Sequence, residues 1–268
     1  MRAACGCTPR YFNSMGERIM KRFTLVGILA ATVVLAGLGM FAATASAVAL
    51  VASEDARIES AGLNPSGAAK GLDKYLIIKL DTAPNERKVY MKWDLSSVNF
   101  AATDVRLDVK SAQDNGTVLN SSFDVYACPD LGVCETWDEA TLVWDNQPDG
   151  NTTPGAPNQH QYPRSPFNTA TKVGSFSINN PVVLGDTWTM ASTPELVAAV
   201  NADTNNTLTL MVAAGQTDFP NGYGPLFASK DHPDLVGPTL TIVPEPATYC
   251  LLGLGLVTLL AGYRRHSR

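Results

Sequence analysis

The stretch RKVYMKWDLSS (Arg87–Ser97) decides the fold class. Val89, Met91, Trp93 and Leu95 alternate with Tyr90, Lys92 and Asp94. Successive side chains of an extended strand point to opposite faces, so this pattern sets one face in a core and the other in water. The rhythm recurs in Val105, Leu107 and Val109, in Phe123, Val125 and Ala127, in Leu208, Leu210 and Val212, and in Leu240 and Ile242. Further strands are expected over Ala56–Ser60, Tyr75–Leu80, Thr141–Asn146, Lys172–Ile178, Asp186–Met190 and Pro225–Ser229. Turn formers separate them: Asn64-Pro65-Ser66-Gly67, Asp114-Asn115-Gly116, Asn205-Asn206 and Phe219-Pro220-Asn221-Gly222. Many short strands between such turns predict an all-β sandwich or barrel. One helix fits, Pro194–Asn201, with Thr193 as its N-cap and proline at its first position. The stretch 148–166, rich in Pro, Asn, Thr and Gly, reads as a long surface loop.

Apolar runs flank this body. Lys21 and Arg22 precede Phe23–Phe41, and Ala45-Ser46-Ala47 follows, the order of a secretory signal peptide with cleavage expected after Ala47. The first residues are unlike an n-region, so Met15 or Met20 offers an alternative start. At the other end, Ala247–Tyr263 is an apolar run of 17 residues, the lower limit for a membrane-spanning helix. Arg264, Arg265 and Arg268 after it fit a cytoplasmic C-terminus, with the body outside. The expected organisation is a leader over 1–47, one domain over 48–243, and a tail over 244–268 whose segment 247–263 spans the membrane as a helix.

The body carries 12 Lys+Arg against 23 Asp+Glu, a net charge near −11. Nucleic acid is excluded as a partner, because its binders need basic surfaces. Carboxylate oxygens suit a hard cation such as calcium. Cys128 and Cys134, in CPDLGVC, read as a disulfide in an exported chain. A zinc site would need further Cys or His ligands close by, which the sequence does not provide.

Two resemblances follow. Pro244, Glu245 and Pro246, the apolar run Ala247–Tyr263, and then Arg264 and Arg265 resemble the PEP-CTERM sorting signal over about the last 26 residues. That resemblance implies a Gram-negative bacterium that makes exopolysaccharide, an exosortase as processing partner, and a chain held only transiently in the membrane. The second resemblance covers about Glu54 to Val243. The strand YMKWDLSS is followed by a Val105–Val109 strand, then Val125-Tyr126. Next come Trp137, Glu139, Trp144, Asn146 and Pro148, then Phe227, Ser229, Lys230 and Asp231, then Pro238 and Leu240. In this order they resemble the DNRLRE domain, grouped with carbohydrate-binding module family 96. That resemblance implies a β-jelly-roll sandwich that binds polysaccharide, including acidic uronate polymers in some members. The Cys128–Cys134 loop, Asp145 and the long loop 148–166 depart from the family pattern and leave the ligand preference open.

Sugar sites set aromatic faces against pyranose rings and add a few polar groups. Trp93 alternates in phase with core residues, and Trp137 and Trp144 belong to the fold motif, so all three read as structural. Tyr162 and Tyr223, in loops, are the candidate ring contacts. Lys74, Arg87, Lys88 and Lys92 crowd one region with Lys70 and Lys79. They form either a basic face for an acidic polysaccharide or a plain solvated face. Glu54, Asp55, Asp231 and Asp234 form a candidate structural calcium site if the first and last strands approach one another, with surface acidity as the alternative. Catalysis has thin support. Adjacent Asp138 and Glu139 face opposite ways on a strand, while a glycosidase needs two carboxyls on one bond. The expectation is a non-catalytic, exported, surface-sorted polysaccharide-binding protein of the extracellular matrix. The rivals are a matrix protein that binds other proteins, and a polysaccharide lyase or hydrolase.

Overall fold

The computed structural model describes residues 46–59, 69–78, 87–113, 121–147, 170–178, 182–214 and 224–245, all within the unit Ser46–Glu245. Among the described residues eleven strands and one α-helix are formed: β1 (Val48–Val51), β2 (Glu54–Glu59), β3 (Tyr75–Ile77), β4 (Arg87–Asp94), β5 (Ala102–Lys110), β6 (Ser121–Ala127), β7 (Thr171–Ile178), β8 (Thr187–Met190), α1 (Pro194–Ala202), β9 (Thr207–Ala214), β10 (Leu226–Ala228) and β11 (Thr239–Pro244). All pairings are antiparallel. One sheet has the order β2-β4-β9-β6-β7, a second β1-β11-β5-β8, and β10 pairs with β3.

The alternation predicted from Arg87–Ser97 builds the space between the two larger sheets. Val89, Met91 and Trp93 of β4 stand opposite Val212, Leu210 and Leu208 of β9 and point inward. Val105 and Leu107 of β5 lie beside Ile242 and Leu240 of β11 in the same core. Phe123, Phe176, Phe227 and Trp188 meet there edge to face or tilted, with Phe123 and Phe176 centroids 5.4 Å apart. Helix α1 starts where the sequence places it. Thr193 Oγ1 accepts a hydrogen bond from Leu196 N–H at 3.0 Å, and Leu196 and Val200, one turn apart, face the core. The amide of Asn201 brackets Ala102, accepting from its N–H at 2.8 Å and donating to its carbonyl at 2.9 Å.

Two expectations are corrected. The outer face of β4 is not wet: Lys88 and Tyr90 are buried and Lys92 is largely so. The cause is the second correction. Thr141–Asn146 is not a strand but part of an irregular segment that lies over that face and ends in a 3₁₀ turn at Trp144–Asn146. The segment satisfies its own backbone. Leu142 N–H bonds to Asp138 O at 2.9 Å, and the Asn146 side chain accepts from Val143 N–H and donates to Thr141 O. A ladder partner is therefore not needed. Trp137, Leu142 and Trp144 from this cover pack against Ala56, Ile58, Tyr90, Tyr126, Met211 and Ala213 in a second core.

Among the described residues no helix is long and apolar enough to cross a membrane. The runs Phe23–Phe41 and Ala247–Tyr263 and the loop 148–166 lie outside the described residues.

Candidate functional site

Three aligned residues of β4, Lys88, Tyr90 and Lys92, form the floor beneath the cover. The Lys88 ammonium lies 5.3 Å from the Trp144 ring centroid and donates to Gln147 Oε1 at 3.0 Å. Tyr90 tilts against Trp137 at 6.0 Å, and the Lys92 ammonium sits 4.5 Å from the same indole. Each indole thus covers an ammonium and gains a cation–π contact in return. The start of the cover is fixed by the Cys128–Cys134 disulfide, expected from the sequence and formed. Asp130 accepts there from the Thr204 hydroxyl and N–H, which hold its carboxyl below the usual value. Burial pushes the Glu135 carboxyl up, opposed by the hydrogen bond from the Asn205 amide.

An ionic clamp then wraps around β2, the edge strand of the five-stranded sheet. Lys92 Nζ bonds to Glu54 Oε1 at 2.9 Å, and Glu54 Oε2 accepts from Glu139 N–H in the cover. The Glu139 carboxylate accepts from the N–H of Asp55, an edge group that strand pairing leaves open, and takes Lys230 Nζ at 3.0 Å. Lys230 also holds Asp231, and its N–H bonds to Asp55 Oδ2 at 2.6 Å. Burial would lower the Lys230 ammonium, but its bonds to Glu139 and Asp231 outweigh that and raise it. Asp55 is fully buried, and among the described residues Oδ1 of its carboxyl has no hydrogen-bond partner. Burial raises that carboxyl to about 7, with Asp231 and Glu139 adding to the rise against the Lys230 N–H and ammonium. Two glycines let the parts approach. A Cβ on Gly71 would lie 1.9 Å from Glu139 O, and one on Gly237 would lie 2.6 Å from Lys230 Cα.

The sequence-predicted residues divide accordingly. Lys88 and Lys92 are floor residues, and Arg87 pairs with Glu59 at 3.0 Å. Of the proposed basic face, Lys74 is exposed and makes no ion pair among the described residues. Its ammonium lies 4.9 Å over the ring of Tyr75, whose ring is 5.7 Å from that of His232. Tyr75 and His232 are half-buried, so this group borders solvent. Of the proposed calcium ligands, Glu54, Asp55 and Asp231 lie in the clamp, and the Asp234 N–H bonds to His232 Nδ1. Among the described residues no group of three or more His, Cys, Asp or Glu is set to hold a metal ion. Tyr162, Tyr223, Lys79, Pro246, Arg264 and Arg265 lie outside the described residues.

Cover, floor and first strands form one continuous stretch of chain. Residues 46–164 match the model of carbohydrate-binding module family 96. Residues 243–265 match the PEP-CTERM protein-sorting motif. No curated protein matches the chain. The family 96 match indicates carbohydrate binding, and the PEP-CTERM match indicates export and surface sorting. The family 96 stretch contains β1 to β6 and both indoles, while Lys230 of the clamp comes from beyond it. In the sequence Glu139 and Lys230 are motif residues with no sign of their pairing. Their shared place in the ordered motif was the available signal.

Proposed function

We propose that this chain is an exported, surface-sorted protein that binds polysaccharide in the extracellular matrix of a Gram-negative bacterium without acting on it chemically. The observation that carries the reading is the family 96 match over residues 46–164. The sandwich is read as a jelly roll, the architecture that resemblance implies. Contact is assigned to the group Lys74, Tyr75 and His232 at the border of solvent, with Tyr162 and Tyr223 as further rings. Ring faces meet the C–H faces of pyranoses, and the ammonium meets the carboxylates of an acidic glycan. Glu139 supports the non-catalytic reading, because its carboxylate is engaged by Asp55 N–H and Lys230. Calcium is proposed as a structural ion for the four carboxylates named from the sequence, Glu54, Asp55, Asp231 and Asp234. The segment 247–263 is proposed to anchor the chain until an exosortase removes the tail.

The test is affinity electrophoresis of residues 46–245 in gels holding alginate or the host's exopolysaccharide, with and without a calcium chelator. Retardation is expected, and its loss with chelator would assign the ion. Unchanged mobility in every gel contradicts the reading. A second reading, a matrix protein that binds other proteins, draws on Leu131 and Val133, which are 72% and 60% exposed on the disulfide loop. Binding to a surface protein with no glycan retardation favours it.

A further inference from the structure

A cleft of about 420 Å³ opens where α1 ends, within the ordinary range for a small-molecule site, roughly 300–1,000 Å³. Its described lining comes from the stretch between β4 and β5, the last turn of α1 and the turn before β9. Leu95, Val98, Phe100 and Val200 supply apolar walls, with Val98 and Phe100 half-buried. Asp203 and Asn206 supply polar groups, and no lysine or arginine is among the described lining residues. Asp203 ends α1 in extended backbone, and its Oδ1 accepts from the N–H groups of Asn205, Asn206 and Thr207 at 3.0, 2.7 and 3.3 Å. Its Oδ2 is buried and, among the described residues, has no hydrogen-bond partner. An orphaned acceptor in the wall of a cleft leaves a place for a donor from a ligand. Asn206 stands at φ +62°, and its carbonyl accepts from Leu95 N–H at 2.9 Å, so the turn is fixed. Its side-chain amide makes no hydrogen bond among the described residues. The helix adds acceptors, because its last carbonyls have no intrahelical partners. The charge here is negative. A helix C-terminus carries partial negative charge, and the last turn of α1 has no basic residue to offset it. Asp130 and Glu135 hold Thr204 and Asn205, which brings two more carboxylates to the turn.

Resting on the polysaccharide reading above, we propose that this cleft is a second glycan subsite, one that takes a neutral pyranose unit. The ring of Phe100, with Val98, meets the C–H face of the sugar. The sugar hydroxyls donate to Asp203 and to the carbonyls that close α1, and the Asn206 amide bonds to a hydroxyl at the rim. A uronate is refused, because its carboxylate would face Asp203, Asp130 and Glu135 with no cation in the described lining. The Lys74 group lies at the other end of β5. The cleft includes Ala101, just before β5, whereas Phe227 of β10, which pairs with Leu76 of β3, bridges Ser111 just past it. β5 has nine residues, so its ends are about 30 Å apart. One domain then holds an acidic glycan at one end and a neutral one at the other.

The experiment is affinity electrophoresis of the full chain in mild detergent, in gels of dextran, galactomannan or xyloglucan, with alginate gels run beside them. Retardation in at least one neutral gel is expected. Glycine takes a positive φ freely, so Asn206→Gly keeps the turn and removes only the amide. It should weaken the neutral retardation about fivefold, the worth of one hydrogen bond. Phe100→Leu keeps an apolar side chain and loses the ring face, and should weaken it about tenfold. Neither substitution should change the mobility in alginate, and Tyr75→Ala should leave the neutral retardation as it was. Unchanged mobility in every neutral gel, beside retardation in alginate, overturns the cleft proposal and leaves the polysaccharide reading standing. Neutral retardation that survives both Asn206→Gly and Phe100→Leu overturns it too. No retardation in any gel, neutral or acidic, overturns both.

Discussion

Two parts of the molecule use the same pairing of lysine and aromatic ring to different ends. Under the cover, the ammoniums of Lys88 and Lys92 lie 5.3 and 4.5 Å from the rings of Trp144 and Trp137, and both indoles are buried. At the edge, Lys74 lies 4.9 Å over Tyr75 with its side chain in solvent. The contact distances are alike, and burial separates them. The inner pairs are closed on both sides by protein and hold an irregular segment onto a sheet. The outer pair leaves a ring edge and an ammonium able to meet something else. The residue types that suggest a sugar site thus form structure in one place and a candidate surface in another, and position in the fold decides which.

The largest way to test that division is Trp144→Ala. Filling of the space by neighbours is limited beside a fixed sheet, so a loss of about 3–5 kcal/mol is expected in chemical denaturation. Hydrogen exchange should rise first in residues 134–147 and β2, since the cover opens before the inner core. Uniform loss of protection across both sheets would merge the two regions and break the comparison.

Asp55 gives the next effect. Its folded-state value, about 7, stands above the ordinary 3.8. The unfolded chain therefore holds the proton less tightly than the folded one. The contribution of Asp55 is fully present below about pH 4 and is lost as pH rises to about 7, a change of up to about 4 kcal/mol. Asp55→Asn, which cannot ionise, should be more stable than the unaltered protein at pH 8 and similar at pH 4. Equal pH profiles of the two proteins would show that the clamp does not shift this carboxyl.

Gly71→Ala comes third. A Cβ 1.9 Å from Glu139 O forces the cover to shift, at a cost of about 1–3 kcal/mol by thermal melting. Smallest in stability is Tyr75→Ala at the edge. Its ring is half-buried against His232, so a loss of about 1 kcal/mol is expected in thermal melting, together with weaker glycan retardation.

The sequence made the inner core readable because its strands repeat with period two and one face is wholly apolar, as in Val89, Met91 and Trp93. Thr193 and Pro194 marked the start of α1 by cap chemistry. The outer core was not readable in the same way. Lys88, Tyr90 and Lys92 carry polar ends, so alternation assigned them to water, yet their long stems and ring bury well beneath two indoles. The cover has no period, because its backbone is satisfied by Asp138 and Asn146 within the segment. Glu139 and Lys230 meet only through the fold. No local pattern signals such a pairing, and only the order of the family motif held both residues. At the candidate surface, charge alone marks Lys74 in the sequence, while the pairing of β3 with β10 brings His232 to Tyr75.

The most direct test of the account sets Tyr75→Ala beside Trp144→Ala in the same alginate and exopolysaccharide affinity gels, with melting temperatures measured in parallel. The account predicts that Tyr75→Ala loses retardation with only a small fall in melting temperature, while Trp144→Ala melts far lower and, below its transition, is still retarded. Retardation lost in Trp144→Ala but kept in Tyr75→Ala would place the ligand at the covered face and contradict it.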